Sequence, residues 1–221
     1  MRVILPAVVL LAFIAFPAIE AQQISESAKL ALEIARARKA NDELLRTYRW
    51  KRRVEVEEEG KGTRVNLKLV RFELDGTLQA TTLSEENEGK TKKRRIKKQQ
   101  EKGEQLVALI HKYTQASPGE LVDFFADAGF DYGTGKLSDT IRVKGISFAI
   151  KGDTVTMWVD RETKQVRKLT ITTALDKERI DAVIDYKTLK SGLSYPARTL
   201  VKIPAEKIRA VVETFDYEVQ E

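Results

Sequence analysis

Polar and apolar positions along the chain fall into two periods, and the change from one to the other divides it into elements. From Ile24 to Leu45, apolar residues recur at Ile24, Ala28, Ala31 and Ala35, with Leu30 and Ile34 on a neighbouring row. These three- and four-residue spacings predict an amphipathic helix opening near Ser25 or Ser27, with a small alanine-rich side suited to packing against a sheet. The period then drops to two. In YRWKRRVEVEEE, Tyr48, Trp50, Val54 and Val56 alternate with Arg49, Lys51, Arg53, Glu55 and Glu57, as in a strand with one buried face. After Gly60-Lys61-Gly62, the stretch TRVNLKLVRFEL places Val65, Leu67 and Leu69 in one phase and Val70, Phe72 and Leu74 in the other. A bulge or bend near Leu69 is the expected cause. Asp75-Gly76 signals a hairpin into a third strand, TLQATTLS.

Helical spacing returns in QLVALIHKYTQ and, after Ser117-Pro118-Gly119, in ELVDFFADAGF, with Pro118 placed to start the second helix and Gly129 to end it. Strand candidates then run to the end of the chain: 140–150, 154–160, 165–173, 179–187, 195–203 and 210–219, separated by turns such as Lys151-Gly152-Asp153 and Ser191-Gly192. About nine antiparallel strands with two helical regions must curl or be covered on one face. The expected fold class is therefore α+β, a strongly curved antiparallel sheet forming an open half-barrel, with an N-terminal amphipathic helix and a helical plug.

The start of the chain sets the compartment. Met1-Arg2 precedes an uncharged run from Val3 to Ile19, which ends at Ala18-Ile19-Glu20-Ala21. This predicts a signal peptide over 1–21, cut after Ala21. The rival is a membrane anchor, which needs roughly 20 apolar residues; this run is interrupted by Pro6 and Pro17 and has no cluster of positive charge behind it. The expectation is a periplasmic or secreted monomer, 22–221 being a single half-barrel domain with a basic loop at 90–103 and a helical insert at 104–129. The chain has no cysteine, which removes disulfides, thiolate metal sites and a lipidated cysteine.

The net charge of +6 favours acidic partners. Seven of the nine positions from Lys90 to Lys98 are lysine or arginine, just after Glu85, Glu86 and Glu88. The segment reads as a solvated connection, possible helical extension included, or as a membrane-docking contact through Lys92, Lys93, Arg94, Arg95, Lys97 and Lys98 on anionic headgroups. Nucleic acid ranks last, because no aromatic residues are interleaved for stacking.

Catalytic chemistry finds little to stand on. His111 is the single histidine and sits among helix positions; Asp123 with Asp127 and Asp181 with Asp185 have spacings common on solvated faces. There is no glycine-rich phosphate loop or nucleophile motif. The sequence thus predicts no catalytic residue, metal or cofactor.

The layout of leader, amphipathic helix, charged-and-aromatic strands, helical insertion and closing meander, with the turn Val159-Asp160-Arg161-Glu162-Thr163, resembles the bacterial outer-membrane lipoprotein carrier and sorting proteins. In that family the concave face shelters acyl chains, so the resemblance implies a noncatalytic carrier of lipids or lipoprotein acyl chains. The apolar residues expected to line such a cavity are Trp50, Val54, Leu67, Phe72, Phe148, Ile150, Met157, Phe215 and Tyr217. The bland reading of each is a dry core position, and the whole-protein alternative is an envelope structural or interaction module, with an envelope protein as partner and a filled core.

Overall fold

The computed structural model describes residues 25–220 apart from 61, 74 and 88–92, with side chains left undescribed at 87, 93–102 and 104. The expected signal peptide and the first three residues of the basic run, Lys90 to Lys92, lie outside the described residues.

The helix α1 (Glu26–Leu45) opens at Ser25, whose hydroxyl accepts from the Ala28 N–H and satisfies one of the free donors of the first turn. Three strands follow: β1 (Tyr48–Glu58), β2 (Gly62–Phe72) and β3 (Leu78–Asn87). Next come α2 (Lys93–Thr114) and α3 (Pro118–Ala126). The helix α2 begins inside the basic run, so the backbone from Lys93 onward is helical where the sequence reading gave a loop to residue 103. Ser117 and Glu120 form a reciprocal capping box at the start of α3, with Pro118 in the first turn. The remaining strands are β4 (Gly129–Tyr132), β5 (Thr140–Ile146), β6 (Thr154–Asp160), β7 (Val166–Leu175), β8 (Glu178–Thr188), β9 (Ser194–Ile203) and β10 (Ile208–Val219).

The ten strands among the described residues form one curved, unclosed antiparallel sheet in the order β3-β2-β1-β10-β9-β8-β7-β6-β5-β4. Every neighbour is a sequential hairpin partner except one: β1 pairs with β10 and joins the two ends of the chain. The extra strand relative to the sequence reading is β4, which starts at Gly129, where the helical insert was expected to end.

Directly opposed residues in an antiparallel pair share a face, so the register defines the concave side. It runs from Trp50 and Val70 through Val54–Val212, Ala210–Val201, Ala182–Ile171 and Leu169–Met157 to Val143. Over β5 to β9 the helices fill this face: Ala31 and Ile34 of α1, Leu109 and Tyr113 of α2, and Leu121, Phe124 and Phe125 of α3 share one buried cluster with the strand side chains. Gly145 permits a close approach of α3, since a Cβ there would collide with the Phe124 ring.

Polar bonds fix the helices to the sheet. Asp153, 2% exposed, accepts from the N–H groups of Phe148, Ala149 and Ile150 and from the Tyr113 hydroxyl. Burial pushes the Tyr113 phenol well above its ordinary range, which keeps it a neutral donor. Asn41 of α1 pairs with both the N–H and the C=O of Ser194 at the start of β9. Arg38 donates to the carbonyls of Thr114 and Ala116, closing the end of α2.

Asp153→Ala removes the acceptor for four donors at once, and hydrogen bonds to a charged group are each worth about 1.5–3 kcal/mol. The variant is expected to lose about 3 kcal/mol or more of unfolding free energy in urea titrations. A loss below about 1 kcal/mol would show that this junction holds nothing together.

Candidate functional site

The concave face has three parts. The helix-covered core over β5 to β9 is one. A second is an aromatic cluster at the end where β1 begins: Trp50 stacks on Tyr217 at 5.6 Å between centroids, and Phe72, Tyr48 and Tyr195 pack around the pair. Tyr217 donates to Thr214, and Thr214 to the carbonyl of Pro196, so the Tyr217 hydroxyl is satisfied inside the cluster. The third part is a patch of β10, β1 and β2 that meets the helix-covered cluster at Ala210, which packs against it, and otherwise lies outside it.

The register lays this patch out as three rows. Thr214, Arg52 and Lys68 form one; Val212, Val54 and Asn66 the next; Ala210, Val56 and Arg64 the last. Val54, Val56 and Val212 are partly exposed and lie outside the buried core cluster. Among them stand three cations. Arg52 and Lys68 are directly opposed across the β1–β2 ladder, an arrangement that costs stability.

No ion pair involves Arg52, Arg64 or Lys68 among the described residues. Glu85 of β3 is opposite Asn66 on the same face, but it is exposed and forms no ion pair with them. The Arg52 Nε and the Asn66 Oδ1 are buried and have no hydrogen-bond partner. Burial alone, with no neighbouring charge to offset it, lowers the Arg52 guanidinium from its ordinary value. By contrast, outer-face cations of the same strands are paired: Arg49 with Glu218, Lys51 with Asp216, and Arg53 with Glu55 and Glu213.

The residues expected to line one cavity are distributed over this surface. Trp50, Phe72 and Tyr217 belong to the aromatic cluster; Met157 is buried under the helices. Phe148 stacks on Tyr113 and meets Phe124 edge-on, and Ile150 packs beside the same core. Only Val54 lies in the open patch. Leu67 and Phe215 require correction. Leu67 opposes Arg53 on the convex side. Phe215 opposes Lys51, also convex, because a bulge at Asp216, with φ of 52°, inserts one residue and separates the faces of Phe215 and Tyr217.

The expected bulge near Leu69 is also corrected. The strand β2 pairs with β1 without interruption, and the irregular residue is Leu83 on β3. The change of phase in β2 has another origin: Arg64, Asn66 and Lys68 face inward while Val65, Leu67 and Leu69 face outward. The signal for the patch was present in YRWKRRVEVEEE, where Arg52 occupies the parity of Trp50 and Val54.

Lys93, Arg94, Arg95, Lys97 and Lys98 fall on the first turns of α2, their side chains undescribed, and Lys92 lies outside the described residues. His111, Asp123 and Asp127 are exposed. Asp181 bonds to Arg179 and Thr172, which hold its carboxyl below the usual range, and Asp185 pairs with Lys168. No group of metal-ligating side chains occurs among the described residues, and none of the described helices is long and apolar enough to cross a membrane. A separate cleft of about 500 Å³ lies between the start of α1 and β4–β5, lined by Leu30, Phe130, Tyr132 and Ile141. Of its charged lining, Lys164 pairs with Glu33 and Asp131 with Arg142.

No family model matches the sequence, and no curated protein does. Several solved structures are similar in fold. One is a LolA superfamily protein of Nitrosomonas europaea, 11% identical over 86% of this chain and 94% of that one, with a TM-score of 0.33. Another is a DUF1329 family protein of Desulfovibrio piger, 10% identical over 89% and 93%, with a TM-score of 0.42. A third is an outer membrane lipoprotein-sorting protein domain of Vibrio parahaemolyticus, 12% identical over 87% and 93%, also at 0.42. These neighbours include the group that the sequence layout resembles.

Opposed, unpaired and partly buried cations destabilise the free protein. Arg52→Met is expected to raise stability by about 1 kcal/mol, or roughly 2–4 °C in Tm. A fall in Tm by calorimetry would mean that Arg52 has a stabilising partner.

Proposed function

We propose that the chain is a noncatalytic binder or carrier of apolar ligands, lipids or lipoprotein acyl chains, that works as a monomer in the periplasm or outside the cell. The observation that carries this reading is the part of the concave face left outside the helix-covered core, where Val54, Val56 and Val212 remain partly exposed. Inner sheet faces of soluble proteins are normally covered, and an apolar concavity edged by a few polar groups is the usual makeup of a small-molecule site. The opposite observation, helices filling the face over β5 to β9, is what favours the alternative of an interaction module without a ligand.

Native mass spectrometry of the mature chain, purified from a bacterial periplasm, separates the two. The carrier reading expects copurified lipid, and expects Val212→Glu to abolish it while Leu67→Glu, on the convex face, retains it. A clean unliganded mass that persists when lipids are offered would sink the carrier and leave the interaction module.

The basic start of α2 gives the proposal a second component, contact with an anionic membrane surface. Each lysine or arginine near such a surface contributes roughly 1 kcal/mol. Changing Lys92, Lys93, Arg94 and Arg95 to glutamine is therefore expected to weaken sedimentation with phosphatidylglycerol vesicles by at least tenfold, with an unchanged circular dichroism spectrum. Equal sedimentation of variant and parent would remove the docking role.

A further inference from the structure

We infer that the open patch recognises an anionic amphiphile, its acidic headgroup held by Arg52, Lys68 and Arg64 and its chain laid against Val54, Val56 and Val212. The inference rests on the carrier reading and adds the chemistry of the ligand. Three observations converge on it. The first is placement: Arg52, Lys68 and Arg64 face the concave side from two adjacent strands, and Arg52 directly opposes Lys68. An anion between them would convert a repulsive cross-strand pair into an attractive triad.

The second is the lack of internal compensation. Cations of β1 on the convex face are engaged with carboxylates. Those on the concave face have no ion pair among the described residues, although the chain carries 33 aspartates and glutamates. The third is the unmet hydrogen bonding of the Arg52 Nε and the Asn66 Oδ1. Buried polar groups of this kind are rare in native structures. An acidic oxygen would satisfy the Arg52 donor, and an N–H or O–H next to it on the ligand would satisfy the Asn66 acceptor. Arginine suits a carboxylate or phosphate because its planar fork matches two oxygens.

The neighbouring valines make the ligand an amphiphile rather than a free anion. Val54 lies between Val212 and Asn66 in one row, and Val56 between Ala210 and Arg64 in the next, so apolar and cationic positions interleave within one strand spacing. A hydrated inorganic ion would leave those valines exposed.

Isothermal titration with dodecyl phosphate, dodecanol and inorganic phosphate tests this on the full mature chain. The parent protein is expected to bind dodecyl phosphate at least tenfold more tightly than dodecanol, and inorganic phosphate too weakly to detect. Arg52→Met, and independently Lys68→Met, are each expected to bring the ratio between the two amphiphiles close to one. Arg53→Met, on the convex face, keeps the preference. Equal binding of dodecyl phosphate and dodecanol by the parent would overturn the headgroup assignment and leave the carrier reading standing. Retention of the preference in both Arg52→Met and Lys68→Met would do the same. Tight binding of inorganic phosphate would replace the amphiphile by a free anion; binding of dodecanol alone would overturn the headgroup assignment, and a protein that binds neither amphiphile would overturn this inference and the carrier reading together.

Discussion

The pairing of β1 with β10 is the constraint on which the rest depends. Every other strand contact closes a local hairpin, so without this ladder the chain would hold a three-stranded and a seven-stranded piece with separate faces. Its register is specified from both sides. On the inner face Val54 meets Val212 and Val56 meets Ala210; on the outer face Arg49, Lys51 and Arg53 reach acidic partners on β10. A slip by one residue would expose the valines inward-to-outward and set like charges together. The bulge at Asp216 ends this register and turns Tyr217 in toward Trp50, which closes one end of the concavity with aromatic rings.

The helices then divide the concave surface unequally. Asp153, Asn41 and Arg38 anchor α2 and α1 at points that lie toward β5–β9 and the start of β9, and the apolar faces of all three helices collect there. What remains on β10, β1 and β2 is too polar to attract a helix of this composition and too apolar to be an ordinary solvated face. On the proposed reading, function and packing are separated along one sheet: the tightly filled part supplies stability, and the part with uncompensated charge carries a cost in stability that a ligand would relieve.

Much of the fold was legible because strand and helix periods are strong where one face alone is buried. The strand 154–160, the capped start of α1 at Ser25 and the Ser117–Pro118 opening of α3 all follow from local chemistry. The patch was harder to read. Alternation identifies two faces without saying which part of a face is covered, and Arg52 breaks the apolar phase at one position only. Phe215 and Tyr217, two residues apart, read as neighbours on one face until the bulge at Asp216 separates them; an aspartate at positive φ leaves no distinctive mark in sequence. Leu67 misled for the converse reason, since β2 carries apolar residues on its convex side too, Val65, Leu67 and Leu69 standing opposite Glu55, Arg53 and Lys51.

Methyl NMR during titration with dodecyl phosphate addresses the central claim, that the ligand site is the open β10–β1–β2 patch. The account predicts shifts at the methyl groups of Val54, Val56 and Val212, with Leu67, Leu200 and Val183 on the convex face and Met157 under the helices unmoved. Shifts confined to the convex face or to Met157, with the three inner valines silent, would contradict it.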